Sequence, residues 1–306
     1  MKNFSHCIST SESVLMEGAL GERLKREYHL SFDAQLAMAA LIYSSEGRRA
    51  LKNLWQEYIH IARKYNLPFL ATTPTRRANK ERVEASCFTK AVIGDNVSLL
   101  RSIQQEAQIE MYVGGLMGCK GDAYTGEGAL NEKEARDFHT WQAGLFQAAN
   151  VDFLYAGIMP VLSEAIGMAQ AMSDMGIPYI ISFTIQKDGR LIDGTTIDKA
   201  ISTIDASVDN RPVCYMANCV HPVIVHAALS QEFNKTSLVR NRFYGIQANT
   251  SPLSYAELDD AADLKCSDPT LLAAEMFRLK EDNALRIFGG CCGTDSRHME
   301  AIARLL

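Results

Sequence analysis

The sequence predicts an α/β protein that folds as a closed (β/α)8 TIM barrel. Eight short apolar runs alternate with amphipathic helical patterns through the 306 residues. This alternation implies parallel strands joined by right-handed crossovers. Eight such units in a chain of this length match the size of one barrel. An open doubly wound sheet is the rival architecture, but the Gly-rich phosphate loop that usually follows one of its early strands does not occur in the sequence.

The predicted strands are short runs of apolar, β-branched and aromatic residues. They cover residues 13–19, 67–73, 109–116, 152–158, 178–184, 212–218, 242–247 and 286–290. Several, such as residues 179–183, are almost continuously apolar, which is typical of strands buried on both faces of a parallel sheet. We expect residues 1–306 to form one barrel domain, because no linker or low-complexity tract divides them.

Amphipathic helices are predicted between these strands. The clearest span residues 46–65, 131–149, 162–175 and 196–207. In the first, Leu51, Leu54 and Tyr58 recur at spacings of three and four and form one apolar stripe. The second opens with Asn131 and Glu134, the spacing of a capping box.

Composition excludes several classes of function. The chain has 31 Lys and Arg against 36 Asp and Glu, a net charge of −5. An acidic chain without a basic run is poorly suited to nucleic acids or anionic membranes. The N-terminus is polar, and no run approaches the roughly 18 apolar residues of a transmembrane helix. We therefore expect a cytoplasmic protein whose thiols stay reduced.

Cysteines at strand ends are the strongest chemical signal. In a barrel, catalytic residues lie at the C-terminal ends of the strands. Cys219 follows the sixth predicted strand, and Cys291 and Cys292 follow the eighth. Adjacent cysteines form a strained disulfide, whereas two adjacent thiolates can share one metal where glycines let the backbone turn. The three thiolates predict a Zn²⁺ site with an open fourth position; the alternative is that they are simply small buried residues.

The other five cysteines lack such a context, although Cys119 lies near the predicted active face. They are Cys7, Cys87, Cys119, Cys214 and Cys266.

The charge of such a centre indicates its chemistry. Three thiolates on Zn²⁺ give a net charge of about −1. That makes a poor Lewis acid for hydrolysis, but it suits a centre that holds a substrate thiol as a thiolate at neutral pH. The predicted reaction is alkyl transfer to sulfur.

Two segments resemble the paired zinc motifs of the homocysteine S-methyltransferase family. They are Asn218-Cys219 and residues 289–294, which read Gly-Gly-Cys-Cys-Gly-Thr. Weaker similarity runs through nearly the whole chain, and residues 14–21 resemble the family's opening strand. The resemblance implies a zinc-binding (β/α)8 barrel in which Cys219, Cys291 and Cys292 are the ligands.

The resemblance also implies a reaction and its reactants. In the family, a zinc-bound homocysteine thiolate attacks a methyl group carried by an onium donor, such as S-methylmethionine or betaine, or by a methylated cofactor, and methionine forms. Glu17 and Gly18 of the opening motif are implied substrate contacts. The barrel leaves no room for a cofactor-binding module. We therefore expect a diffusible small-molecule donor or a separate methyl-carrier protein, and a homo-oligomer stays open.

Three positions depart from the family pattern. The opening Asp is replaced by Glu17, one methylene longer, and Glu22 stands where a Thr normally follows. The fourth strand of the family ends in Glu-Thr-Ile-Pro, whose Glu contacts the amino group of homocysteine. Here Gly157 occupies that Glu position. The lost carboxylate predicts weaker binding of a desolvated ammonium group.

The loop after the second strand also differs, because it carries Arg76 and Arg77. Two arginines at a barrel mouth can hold a carboxylate, sulfonate or phosphate bidentately. The alternative is a solvated or salt-bridged pair. Together with Gly157, they favour the hypothesis that the thiol acceptor or the methyl donor differs from plain homocysteine chemistry.

Other polar residues admit two interpretations each. His221 or His226 is a candidate fourth zinc ligand, although Pro222 favours a structural role for His221. Glu164 either replaces the missing carboxylate or complements a helix dipole. Further residues expected to line the pocket are Tyr155, Gln247 and Asn249.

Three functions therefore compete. A zinc-dependent thiol S-methyltransferase leads, followed by a relative that acts on another thiol acceptor or methylated donor. The third is a non-catalytic zinc–thiolate protein, which predicts a closed four-ligand site without an open pocket.

Overall fold

Eight parallel strands close into a barrel in the order of the sequence. We analysed a computed structural model, which describes residues 3–253 and 267–306. The strands are β1 (Val14–Met16), β2 (Phe69–Thr72), β3 (Met111–Gly118), β4 (Phe153–Met159), β5 (Tyr179–Phe183), β6 (Cys214–Val220), β7 (Phe243–Ala248) and β8 (Ile287–Gly290).

Helices lie between the strands and at the N-terminus. They are α1 (Phe4–Thr10), α2 (Gly21–Arg26), a 3-10 helix (Met38–Tyr43), α3 (Ser45–Lys64), α4 (Lys80–Glu84), α5 (Ala91–Ala107), α6 (Glu132–Ala148), α7 (Leu162–Ser173), α8 (Ile197–Ser207), α9 (Pro222–Leu229), α10 (Ser237–Arg242), α11 (Pro269–Asn283) and α12 (Ser296–Leu305).

The closure decides between the two predicted architectures. β1 pairs with β2, where Leu15 faces Phe69, and with β8, where Val14 faces Ile287. An open doubly wound sheet would instead leave two edge strands. The prediction of a (β/α)8 barrel is confirmed, and all eight predicted strands form.

Side-chain caps set the starts of the helices. Asn131 accepts a hydrogen bond from the Glu134 amide, and the Glu134 carboxylate accepts one from the Asn131 amide, so the predicted capping box exists. Thr196 caps α8 through its hydroxyl, which accepts a hydrogen bond from the Lys199 amide. The predicted limits of these helices differ from the observed ones by at most two residues, as expected for helix ends.

Two strands end irregularly at the C-terminal mouth. β4 shifts register between Ala156 and Met159, and β6 shifts between Asn218 and Val220. Inside these shifts Ile158 has φ of 60° and Cys219 has φ of 55°. Left-handed backbone is uncommon for residues with a side chain, so these strand ends are held in place by their surroundings.

The opposite end of the barrel is covered by α1. Phe4 stacks on Phe153 at 4.4 Å between ring centroids and meets Tyr112 edge-on at 5.7 Å. Both partners lie at the starts of their strands, so this helix closes the barrel on the side away from the mouth. Its other buried side chains are Cys7 and Ile8.

In the part of the chain that the structure describes, no helix is long and apolar enough to cross a membrane.

Removal of the Phe4 ring should destabilise the barrel. Phe4 is 3% exposed, so Phe4→Ala leaves a cavity between α1 and the strand starts. We expect the free energy of unfolding to fall by about 3–5 kcal/mol in urea titrations. His6→Ala, on the exposed face of the same helix, should change it by less than about 0.5 kcal/mol. Equal losses in both variants would show that α1 does not seal the barrel through Phe4.

Candidate active site

The C-terminal ends of the strands surround a cavity of about 400 Å³. Its wall includes Glu17, Gly18, Arg76, Arg77 and Gly157, together with Cys291 and Cys292. A larger cleft of about 1020 Å³ lies on the outer face near Tyr43 and Asp95. None of the predicted site residues lines that cleft, so the chemistry points to the smaller cavity at the mouth.

Three sulfur atoms meet beside this cavity. The Sγ atom of Cys292 lies 3.4 Å from that of Cys219 and 4.0 Å from that of Cys291. All three lie within 4.8 Å of one another, and no other group of three such side chains occurs among residues 3–253 and 267–306. Tetrahedral zinc with Zn–S bonds of about 2.3 Å needs sulfur atoms about 3.8 Å apart. The three thiols therefore fit a metal of this type.

The turn after β8 depends on glycine at two positions. A Cβ atom at Gly290 would lie 2.2 Å from Oγ1 of Thr294. Gly293 has φ of +83°, and a Cβ there would lie 2.0 Å from Oγ1 of Thr250. Because these positions exclude side chains, the chain can reverse tightly and bring Cys291 and Cys292 to the mouth.

The three thiols shift one another's pKa values. Interactions with the side chains of Cys291 and Cys292 hold the pKa of Cys219 well below its ordinary value, against the effect of burial. The same contacts with Cys219 raise the pKa values of Cys291 and Cys292.

Tyr124 is a site residue that the sequence reasoning missed. Its hydroxyl donates a hydrogen bond to Sγ of Cys219 at 3.4 Å. The negative charge of Cys219, followed by burial, raises the pKa of Tyr124 well above its ordinary value. Tyr124 lies in the loop between β3 and α6, where no motif marks it.

Glu17 is buried in the cavity wall and held by one residue. Its carboxylate accepts hydrogen bonds from the Thr72 amide at 3.0 and 3.1 Å and from the Thr72 hydroxyl at 2.6 Å. Burial raises the pKa of Glu17 to about 7, although the bonds from Thr72 oppose the shift.

A polar cluster lies at the floor of the cavity, below Gly157. The Tyr155 hydroxyl is 2.8 Å from the amide oxygens of both Asn218 and Gln247. All three side chains line the cavity, as does Gly157. Asn249 lies behind the sulfur cluster instead, with Nδ2 at 3.9 Å from Sγ of Cys219.

The two arginines line the mouth without acidic partners. Neither guanidinium forms an ion pair with any of the described residues, so the interpretation as a salt-bridged pair is wrong. Arg76 is half-buried and packs over Gly118, where a Cβ atom would lie 2.5 Å from its Cγ. Burial, and then the charges of Arg82 and Arg76, lower the pKa of Arg77.

Glu164 does not replace the missing carboxylate at Gly157. It is fully buried and accepts hydrogen bonds from the Lys120 amide at 2.7 Å and the Leu130 amide at 3.4 Å. It also lies 3.0 Å from Nε2 of His139. Its role exceeds dipole complementarity, because it fastens both ends of the loop that carries Tyr124.

The two candidate histidines lie outside the sulfur cluster. His221 caps α9, where its Nδ1 accepts the Val223 amide at 3.3 Å, and burial lowers its pKa to about 4. His226 pairs with Asp282 at 3.0 Å on the outer surface. The structure therefore agrees with the structural interpretation of His221.

Comparison with known proteins agrees with this arrangement. A sequence model described as homocysteine S-methyltransferase matches residues 14–306. The chain belongs to the homocysteine S-methyltransferase family. The resemblance to this family is thus confirmed, and the protein is a methyltransferase. No curated protein matches this family member in sequence at a significant level.

Solved structures show the same fold. The metallated form of the homocysteine methyltransferase MmuM from Escherichia coli is 18% identical, with a TM-score of 0.76 over 98% of each chain. Its oxidized form has the same identity and TM-score over 97% of each chain. The apo form gives a TM-score of 0.67 at 18% identity over 98% of each chain.

The buried carboxyl of this family member should make stability depend on pH. Glu17 binds its proton more tightly in the folded state, so its stabilising contribution is present below about pH 4.5 and is lost as the pH rises towards 7. Relative to Glu17→Gln, which cannot titrate, the wild-type protein should lose about 2–3 kcal/mol between pH 5 and 8. Urea titrations of both proteins in the same metal state measure this. Parallel pH curves would contradict the raised pKa.

Glu164→Gln should loosen the loop that carries Tyr124. An amide side chain keeps one acceptor oxygen, so at least one buried donor loses its partner, at a cost of about 1–3 kcal/mol. We expect faster hydrogen exchange at the Lys120 amide, measured by mass spectrometry. Glu132→Gln, at the exposed start of α6, is the matched control and should leave that exchange unchanged. Unchanged exchange in both variants would refute the fastening role.

Proposed function

We propose that the protein is a zinc-dependent S-methyltransferase. It would move a methyl group from an onium-type donor, such as S-methylmethionine or a betaine-like compound, to a thiol such as homocysteine, giving methionine. The observation that carries this proposal is the cluster of Cys219, Cys291 and Cys292 at an open barrel mouth. Membership of the family supports the reaction class.

The donor set supports zinc as the metal. Soft thiolates select zinc among the common divalent ions, and three ligands leave a fourth position free. A zinc ion held by these sulfurs would supply positive charge that keeps a substrate sulfur deprotonated at neutral pH. The structure of a relative described as metallated is consistent with this assignment.

The chain's own residues would orient the reactants. The Tyr124 hydroxyl would hold the charge and direction of Cys219, and Asn249 would support the same sulfur from behind. Glu17 and Gly18 would contact the thiol substrate at the end of the neighbouring strand β1, and Arg76 and Arg77 would do so at the rim.

The reaction balances without a further reactant. As the new S–CH₃ bond forms, the onium–CH₃ bond breaks, the donor becomes a neutral sulfide or amine, and the thiol proton leaves to water. Bringing the two small molecules together in one cavity would supply much of the rate enhancement.

Two alternatives carry different weight. Gly157 favours a relative that uses another thiol acceptor or methylated donor, because no carboxylate stands there to bind an ammonium group. A non-catalytic zinc–thiolate protein is disfavoured, because the open cavity beside the cysteines would have no use. In this proposal, residues 1–306 form one barrel domain of a cytoplasmic enzyme of methionine biosynthesis. The enzyme would act alone or as a homo-oligomer. Its methyl group would come from a diffusible donor or from a carrier protein.

Replacing a cysteine of the cluster should abolish both metal binding and methyl transfer. Cys219→Ser and Cys291→Ser should each lower zinc affinity by more than the 10–100-fold typical of losing a ligand's hydrogen-bond partner. Cys119→Ser, at a thiol outside the cluster, is the matched control and should keep one zinc per chain. Mass-spectrometric metal analysis measures the zinc, and methyl-labelled S-methylmethionine or betaine with homocysteine measures the reaction.

The outcomes separate the competing functions. Labelled methionine formed by the wild type and lost in both cluster variants would support the proposal. Zinc binding without methyl transfer to any thiol would favour the non-catalytic alternative. Full activity in Cys219→Ser, with circular dichroism showing an intact fold, would refute the metal assignment.

A further inference from the structure

The mouth of the cavity contains two arginines that form no ion pair with any described residue. Arg76 and Arg77 both line the cavity, and neither has an ion-pair partner among the described residues. We infer that these two guanidinium groups form a subsite for the anionic end of the thiol substrate, a carboxylate or a sulfonate. This inference rests on the proposed function, since it assigns the class of thiol that the same cavity accepts.

The acids near the arginines are occupied by other donors. Asp122 influences Arg76 electrostatically, but its Oδ1 accepts the amides of Tyr124 and Thr125 at 2.8 Å. Glu81, one turn further along the chain, pairs with Lys120 at 2.9 Å. The geometry therefore leaves both arginines available to an external anion.

The acids inside the cavity are engaged in the same way. Glu17 accepts hydrogen bonds from Thr72, and Glu22 accepts the Gly293 amide at 2.8 Å. Lys25, the third cation of the cavity wall, carries no ion pair within the described part of the chain. The cavity thus contains cations without ion pairs beside carboxylates that already accept hydrogen bonds.

The positive charges of Arg76, Arg77 and Arg82 lie close together. Arg82 stands close enough to Arg77 to disfavour its charged form, and Arg76 adds to this effect. Like charges held together without a counter-ion cost free energy, which a bound anion would relieve. Guanidinium groups also match carboxylates and sulfonates geometrically, since each can donate two parallel hydrogen bonds.

The ammonium end of an amino-acid substrate would find no acidic side chain at the end of β4. Gly157 offers no side chain to the cavity, and Glu164 faces the loop instead. Selectivity should therefore come from the acidic end of the thiol more than from an ammonium group at β4.

A panel of small thiols tests this with the zinc-loaded full chain and a methyl donor that supports turnover. We expect kcat/KM for mercaptopropionate or mercaptoethanesulfonate to exceed that for neutral mercaptopropanol at least about tenfold, as expected for one charge-assisted interaction. Arg76→Gln and Arg77→Gln should reduce this ratio about tenfold, mainly through KM. Comparing kcat/KM for mercaptopropionate and mercaptoethanesulfonate shows which of the two anions the subsite prefers. Equal kcat/KM for the neutral and anionic thiols would overturn the subsite.

Arg82→Gln is the matched control, because Arg82 lies beside the pair but does not line the cavity. It should preserve most of the selectivity. A loss equal to that in Arg76→Gln would overturn the subsite in favour of a general field of positive charge.

A binding measurement separates this inference from the proposed function. Methylthiopropionate keeps the carboxylate but has no free thiol, so calorimetry can follow its binding without turnover. Weaker binding by Arg76→Gln, even if no donor supports methyl transfer, would uphold the anion subsite alone. Methyl transfer to thiols, with methylthiopropionate binding unchanged in both arginine variants, would refute the subsite and leave the proposed function intact.

Discussion

Three sulfur atoms from two non-adjacent strands can meet at this barrel mouth because the turn after β8 is exceptionally tight. Gly290 and Gly293 leave no space for side chains, because the Thr294 hydroxyl lies against Gly290 and the Thr250 hydroxyl against Gly293. That hydroxyl donates to the Cys291 carbonyl at 2.7 Å and accepts the Ala19 amide at 3.0 Å. One threonine therefore joins the cysteine turn to the segment after β1. The wall that contains Glu17 and the wall that contains the sulfurs are positioned by the same contact.

The third sulfur depends on a different kind of constraint. Cys219 adopts a left-handed backbone at the register shift of β6, a conformation that a residue with a side chain adopts at a cost of about 1–3 kcal/mol. Tyr124 contacts its sulfur from the β3–α6 loop, and Glu164 fastens both ends of that loop from α7. The position of this sulfur atom is thus set by elements that lie far apart in the sequence.

Local patterns explain which parts of the fold could be predicted. The apolar runs of the strands and the Asn131 cap act over a few residues, and barrel topology alone brings the ends of β6 and β8 to one mouth. Tyr124 could not be found in this way, because its loop is held by Glu164, 40 residues away along the chain. The sequence also could not show that Arg76 and Arg77 form no ion pair with the described residues. Only the fold shows that Glu81 pairs with Lys120 and that Asp122 accepts loop amides.

The two ends of an amino-acid substrate would meet different physical conditions in this cavity. With a pKa of about 7, Glu17 is a weak counter-ion for an ammonium group, because near neutral pH about half of its carboxyl groups are protonated and must lose that proton to pair with one. A bound ammonium would favour that loss, so recognition of the amine would be coupled to proton release. The arginines need no such step, since a guanidinium group already carries its charge near neutral pH. Recognition of the acidic end should therefore vary less with pH than recognition of the amine, and this difference makes the rim arginines the more dependable anchor for a small anionic thiol.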